Sequence, residues 1–301
     1  MSTDLFATVL DCNGRPLTLD RSRVVGIINV TPDSFSDGGQ FADVDAAVAH
    51  GLRLAEEGAD MLDIGGESTR PGAADVSVDD ELRRVLPVIE QLIARTSLPI
   101  AVDTSKPEVM RAAVAAGAGM INDVYALRRE GAMDAAAELR VPICLMHMQG
   151  EPRSMQDAPH YDDVVGEVHR FLADRLFACE LAGIDRRKVM VDPGFGFGKD
   201  LEHNLALLRR LERFADLGSG VYVGLSRKSM IGTLTGHTEP AGRAAGSVAA
   251  ALIAVQRGAR MVRVHDVAAT VDALKVWHAV QTGDRPERRD MPKAPRWPDD
   301  D

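Results

Sequence analysis

The amino-acid sequence predicts an α/β protein, a single (β/α)8 TIM barrel carrying a short N-terminal arm or hairpin. Two observations lead there. Eight short apolar runs alternate with longer Ala-rich stretches whose apolar residues recur at helical spacing, with a pitch of roughly 30 residues, the size of a βαβ step. The apolar runs read as continuous Val, Ile and Met and do not alternate strictly with polar residues, which is what burial on both faces of a parallel sheet produces.

Taken in order, residues 1–23 form an arm in which Val9 and residues 17–19 flank the turn Cys12-Asn13-Gly14-Arg15, a hairpin placed to close the bottom of the barrel. The barrel occupies residues 24–282. Its strands are expected at 24–30, 61–64, 98–102, 120–123, 142–146, 188–191, 221–224 and 261–264. The helices between and after them are expected at 43–57, 79–94, 107–116, 132–139, 161–182, 201–214, 241–257 and 268–280. Punctuation agrees. Gly58 and Gly117 stand just past helical patterns, where a left-handed residue is wanted, and Ser105 stands two residues before Pro107 as a cap ahead of a first-turn proline. Residues 283–301, with Pro286, Pro292, Pro295 and Pro298 among charges, read as a flexible C-terminal tail.

Composition excludes several classes of function. The chain has 301 residues, 45% hydrophobic and 27% charged, which rules out a disordered or collagen-like protein. Its 35 Lys and Arg against 45 Asp and Glu give a net charge of -10, the wrong sign for simple attraction to nucleic acid or an anionic membrane, and 4% aromatics leave little for base stacking. An anionic small substrate would therefore need a local basic pocket. Cys12, Cys144 and Cys179 are widely separated without CxxC spacing, which argues against a disulfide framework or structural zinc. There is no signal-peptide pattern at the N-terminus and no uncharged stretch of membrane-spanning length, so a cytoplasmic location is expected.

In such a barrel the C-terminal strand ends form the reactive face. Polar residues collect there: Asn29 and the segment over 31–39; Asp63 and Gly65-Gly66-Glu67-Ser68-Thr69-Arg70; Asp103; Asn122-Asp123; His147; Asp192 and the run over 193–199; Ser226-Arg227-Lys228-Ser229; and Arg263 with His265. Two chemistries separate. Asp103, Asn122 and Asp192 suit a flat heterocycle with N–H donors, since a buried carboxylate needs several such partners. Ser226, Arg227, Lys228, Arg263 and His265 come from the last two strands, where barrels commonly hold phosphate. Asp63 is balanced between a cap and a site residue, Met146 and Phe197 between core and ring contact, and His147 reads as a support behind the site. Four histidines, at 50, 169, 203 and 278, fall in helical patterns and are assigned to surface or packing. There is no P-loop lysine motif and no HExxH, and the glycines over 194–198 follow too late a strand for a dinucleotide fingerprint.

The segments GIINVTPDSFSDG over 26–38, DIGGESTRPG over 63–72, DPGFGFGK over 192–199 and GLSRKS over 224–229 resemble the bacterial dihydropteroate synthases, with the likeness running from about residue 24 to about residue 280. That resemblance implies an enzyme of folate synthesis, which joins 6-hydroxymethyl-7,8-dihydropterin pyrophosphate to 4-aminobenzoate with Mg²⁺, as a homodimer inhibited by sulfonamides. Carried over by motif, Asp103, Asn122, Asp192 and Lys228 would hold the pterin, with Met146 and Phe197 along its ring. Asn29 would meet metal and pyrophosphate; Thr69, Arg70, Arg263 and His265 would take phosphate oxygens. The loops after the first two strands would close over the site, so that Thr31, Pro32, Phe35, Ser36, Asp37, Thr69, Arg70 and Pro71, with Ser226 and Lys228, would serve the 4-aminobenzoate end. The expected catalytic set is Asn29, Asp103, Lys228, Arg263 and His265. One departure is Asp200, where a small residue such as Thr is expected; it reads as the cap of the next helix.

The implied chemistry follows on general grounds. An aromatic amine is neutral at pH 7, so no activated or covalent Ser, Cys or His is needed; the work lies in the leaving pyrophosphate and in shielding a cation-like methylene from water. A methyl-transferring pterin barrel would share the carboxylates but would have no need of Thr69-Arg70, the long first loop or the Ser226–Ser229 cluster.

Overall fold

The computed structural model describes residues 8–31, 39–68, 75–150, 155–156 and 158–283, the side chains of 39–42 excepted. Strands β1 (Val9–Cys12) and β2 (Arg15–Thr18) pair antiparallel across the Asn13-Gly14 turn. The barrel strands follow as β3 (Arg23–Asn29), β4 (Met61–Gly65), β5 (Ile100–Asp103), β6 (Met120–Asp123), β7 (Ile143–Met146), β8 (Val189–Asp192), β9 (Gly220–Val223) and β10 (Ala259–Val264). All are parallel, and β10 returns to β3 with Val264 beside Gly26, closing the ring.

The helices are α1 (Gly39–Glu56), α2 (Val78–Arg95), α3 (Pro107–Ala115), α4 (Ala132–Leu139), α5 (Val164–Leu181), α6 (Leu201–Arg209), α7 (Ser229–Thr235), α8 (Ala244–Gln256) and α9 (Val267–Thr282). In α2, Ser77 caps by accepting from the Asp80 amide at 3.1 Å, and Val85, Val88, Ile89 and Leu92, at helical spacing, turn one fully buried stripe to the barrel. Asp200 caps α6 with His203 as its reciprocal partner, the role expected for that departure from the family pattern. Gly58 and Gly117 both take positive φ.

Three local features differ from expectation. Helix α7 has Gly232 and two Thr in its seven residues and no apolar period to announce it. The stretch 201–214 breaks after Arg209, with Leu211–Phe214 in a 3₁₀ turn. Ser105 is not a cap: Lys106 occupies that position without a side-chain capping bond, and the Ser105 hydroxyl donates to buried Asp123.

Inside the barrel, each strand contributes one residue to a floor made of Val25, Met61, Ala101, Met120, Cys144, Met190, Tyr222 and Met261. Leu10, Cys12, Leu17 and Leu19 of the hairpin join the same cluster from below. The approach is close enough to demand glycine at 119, where a Cβ would lie 2.3 Å from the Cys12 carbonyl oxygen. Arg15 completes the seal by donating to the carbonyls of Ile93, Thr96 and Leu98 at 2.7–2.8 Å, at and just past the end of α2, where helix carbonyls lack intrahelical partners.

Candidate active site

Because successive side chains on a strand point to opposite faces, the residue two beyond each floor position also faces the interior, one step nearer the C-terminal mouth. Those residues are Ile27, Asp63, Asp103, Asn122, Met146, Gly224, Asp192 and Arg263. A chemically opposite layer thus lies directly on the apolar floor.

Arg263 organises one half of this layer. Its Nε donates to Asp63 Oδ2 at 2.5 Å and its Nη2 to Asp103 Oδ2 at 2.9 Å, while Asn122 Nδ2 donates to Asp63 Oδ2 at 3.0 Å. Asp63 is therefore a member of the site and not a loop cap. With its Nδ2 committed, Asn122 presents its oxygen as an acceptor. Burial pushes the Asp103 carboxyl up to about 7 against the pull of Arg263. Burial works the other way on Arg263, but Asp63 and Asp103 overcome it and hold the guanidinium charged. Its Nη1 makes no hydrogen bond among the described residues.

Across the mouth, Asp192 accepts from the Gly194 amide at 2.7 Å, and burial raises its carboxyl while Lys228 opposes the rise. Lys228, pushed down to about 8 by burial, donates to the Phe195 carbonyl and stands 4.5 Å from the centre of the Phe197 ring. Phe197 packs with Tyr125 against a small cluster of Val124, Met146, Met148 and Met155. The expected pterin set is thereby brought together: three acceptor groups, Asp103, Asn122 and Asp192, with a lysine and an apolar wall.

The basic cluster expected after the last two strands divides. The Ser226 hydroxyl lies 3.0 Å from His265 Nδ1 and accepts from the His265 amide at 3.1 Å. Arg227, in left-handed conformation, is engaged by Asp266 at 2.5 and 3.1 Å. It links the two loops instead of joining the anion end. Half-buried Asn29 ends β3, and its carboxamide has no hydrogen-bond partner among the described residues. Thr31 is described at the start of its loop, whereas Pro32, Phe35, Ser36, Asp37, Thr69, Arg70 and Pro71 lie outside the described residues.

A buried network not anticipated from the sequence stands beside the site. Lys106 Nζ lies 2.6 Å from Glu67 Oε2 and 2.5 Å from Glu81 Oε2, and Glu67 Oε1 accepts from the Val76 amide at 3.1 Å. Its members come from two loops and a helix, a juxtaposition with no signal in local spacing.

Residues 25–265 match the family described as pterin binding enzyme. The chain is 52% identical over 270 residues to the dihydropteroate synthase of Escherichia coli strain K12, covering 90% of this chain and 95% of that protein. A Xanthomonas albilineans dihydropteroate synthase solved with 4-aminobenzoic acid superposes with a TM-score of 0.88 at 68% identity, over 92% of this chain and 99% of the other. The same species' enzyme in complex with 7,8-dihydropteroate gives 0.84 at 66% identity, over 91% and 99%.

Proposed function

We infer the working of the site from one premise: the chain belongs to the dihydropteroate synthase family and catalyses condensation of 6-hydroxymethyl-7,8-dihydropterin pyrophosphate with 4-aminobenzoate in folate biosynthesis. The observation that carries the assignment of residues is the polar layer itself, in which acceptors for a heterocycle and a guanidinium with a spare donor share one barrel mouth.

Asp192 and the Asn122 oxygen accept N–H groups of the pterin edge, and Asp103 adds a carboxylate held in place by Arg263. Lys228 donates on the ring's other side, over Phe197. Met146 and Phe197 line the ring faces, where apolar contact orients a flat ligand without competing for its hydrogen bonds. The Arg263 Nη1 donors, with His265 braced on Ser226, stabilise charge growing on the departing pyrophosphate. Ser226 and Lys228 also border the 4-aminobenzoate end; Thr31, Pro32, Phe35, Ser36, Asp37, Thr69, Arg70 and Pro71 are assigned to the two loops that complete it, and Thr69 and Arg70 to the pyrophosphate as well. Carbon–oxygen cleavage runs ahead of amine attack, so the protein orients and shields, and no side chain forms a covalent intermediate.

The residues fit a magnesium ion. Asn29 offers a hard carboxamide oxygen without another partner among the described residues, and Mg²⁺ typically takes one or two protein oxygens together with phosphate oxygens and water, not a dedicated cage. Bound there, the ion would neutralise charge on the leaving group. A homodimer is supported by exposed Leu234 of α7, Ile253 of α8 and Val276 and Val280 of α9, apolar groups on successive neighbouring helices. Sedimentation equilibrium would then give twice the chain mass. A cytoplasmic location is supported by three buried free cysteines, and among the described residues no helix is long and apolar enough to cross a membrane.

The deciding experiment is pyrophosphate release from the pterin substrate and Mg²⁺, with and without 4-aminobenzoate. Release that depends on the amine and matches dihydropteroate formed is expected. Pterin binding without turnover would overturn the assignment of the anion end.

A further inference from the structure

The loop from Asp192 to Lys199 carries two of the pterin groups, yet its composition is the least able to hold a shape. Gly194, Gly196 and Gly198 alternate through it, all at positive φ, and a glycine-rich segment loses the most conformational freedom on ordering. At Gly194 a Cβ would stand 1.8 Å from the His147 carbonyl oxygen, so the loops after β7 and β8 touch backbone to backbone.

Lys199 lies at the centre of this contact. Its side chain is 3% exposed, and its Nζ is 2.9 Å from each of three groups: the Gly194 carbonyl, the Phe197 carbonyl and His147 Nδ1. Burial pushes this amine well below its ordinary value, with Asp192 opposing the fall, and its Nζ still has a hydrogen for each carbonyl and a bond with the His147 ring. Burial, then the neighbouring Lys199, pushes the His147 imidazole down to about 2 and leaves it neutral, and it meets Nζ through Nδ1. Its ring is fixed in turn against Phe171, edge to face at 4.8 Å. Other tethers secure the outer part of the loop, Tyr161 to the Gly198 carbonyl at 2.8 Å and Asn204 to the Gly196 amide at 2.7 Å, but Lys199 joins both loops. His147 directly follows Met146, and Phe197 supplies the carbonyl that Lys199 holds.

We propose that Lys199, seated on His147, is a positioning residue that sets the distance between the Met146 and Phe197 walls and thereby the fit of the pterin ring. It touches neither substrate. The inference rests on the reading of this mouth as the pterin pocket. Replacing the Lys199 amine would strip the Phe197 carbonyl of its donor, leave the Gly194 carbonyl only its bond from the Phe197 amide, and free the glycine loop to take other shapes, a loss felt by the ring and not by the amine bound beyond it.

The test is calorimetric titration with 6-hydroxymethyl-7,8-dihydropterin, together with steady-state constants for both substrates, in Lys199→Met, His147→Leu and Asp192→Asn. Lys199→Met is expected to weaken pterin binding about tenfold and raise the pterin KM equally, with the 4-aminobenzoate KM and the kcat within about twofold of the parent. His147→Leu moves the pterin constants the same way by about threefold. Folded Lys199→Met with unchanged pterin affinity, or with both KM values rising together, overturns the proposal. If Lys199→Met does not fold, His147→Leu decides, and unchanged pterin affinity there overturns it. Asp192→Asn separates the two readings: if it spares pterin binding the pocket assignment falls, and if it alone abolishes binding only the positioning role falls.

Discussion

The floor of the barrel and the layer above it come from the same eight strands, two residues apart, and they are built on opposite principles. The floor is apolar except for Tyr222 and sealed beneath by the hairpin, while the upper layer places Asp63, Asp103, Asn122, Asp192 and Arg263 in nearly the same cross-section. The separation along a strand is about 6–7 Å. Over that distance the criterion changes from filling space to satisfying hydrogen bonds. Burying charge is tolerable here because Arg263 answers two carboxylates at once, and because Asp192 retains a charge partner in Lys228 and a backbone donor. Among the described residues the Asn122 oxygen and Arg263 Nη1 make no hydrogen bond, and these a ligand can use; Asp63 Oδ1 also lacks a partner but is buried away from the mouth's solvent.

The comparison breaks most visibly at Arg263. Arg263→Met is expected to lower kcat/KM by about 10³, because transition-state charge loses its donor. It also destabilises the fold by about 3–5 kcal/mol, because Asp63 and Asp103 are left buried without a cation. Adding Asp63→Asn restores part of the melting temperature but none of the rate; recovery of both would show that Arg263 acts only as a structural counter-ion. Asp192→Asn comes next, weakening pterin affinity by about 100-fold with little change in melting temperature, as titration against the parent enzyme would reveal. In the floor the pattern inverts. Met190→Ala should remove about 2–5 kcal/mol of stability in chemical denaturation yet leave kcat and both KM values unchanged below the transition. The smallest effect sharpens the electrostatics of the upper layer alone. Asp103, raised to about 7, loses its charge as pH falls through that value, and Lys228, lowered to about 8, loses its charge as pH rises through that value. The pH profile of kcat/KM for the pterin substrate should therefore be a narrow bell, falling several-fold on each side, and Asp103→Asn should flatten the acid limb. A parent profile level from pH 6 to 9 would sink both assignments.

Much of this was legible in the sequence because it is governed by short-range rules. The strand and helix alternation, the hairpin turn at Asn13-Gly14 and the Asp200 cap depend on residues a few positions apart. Asp103, Asn122 and Asp192 could be read as site residues because each interrupts an apolar strand at its end. Asp63 was ambiguous for want of one step: Met61, two residues before it, is a floor residue, and the pleat then fixes where Asp63 points. Arg227 was misplaced among anion ligands because its partner Asp266 lies 39 residues away on the next loop. Lys106 with Glu67 and Glu81, and Lys199 with His147, are likewise products of topology, and no local period marks them.

The return of β10 to β3 also governs the order in which the molecule can be made. Arg23 pairs with Met261, so the ring shuts between segments from opposite ends of the chain, the slowest kind of contact to establish because the intervening loop entropy must be lost first. Asp63 and Asp103 leave the ribosome long before Arg263 does. Until the final strand docks, both carboxylates favour water over the interior, and a nascent chain stopped short of β10 has every electrostatic reason to stay open. Barrel closure and neutralisation of Asp63 and Asp103 thus coincide, and the arginine proposed to serve the leaving group is the counter-charge that closure supplies.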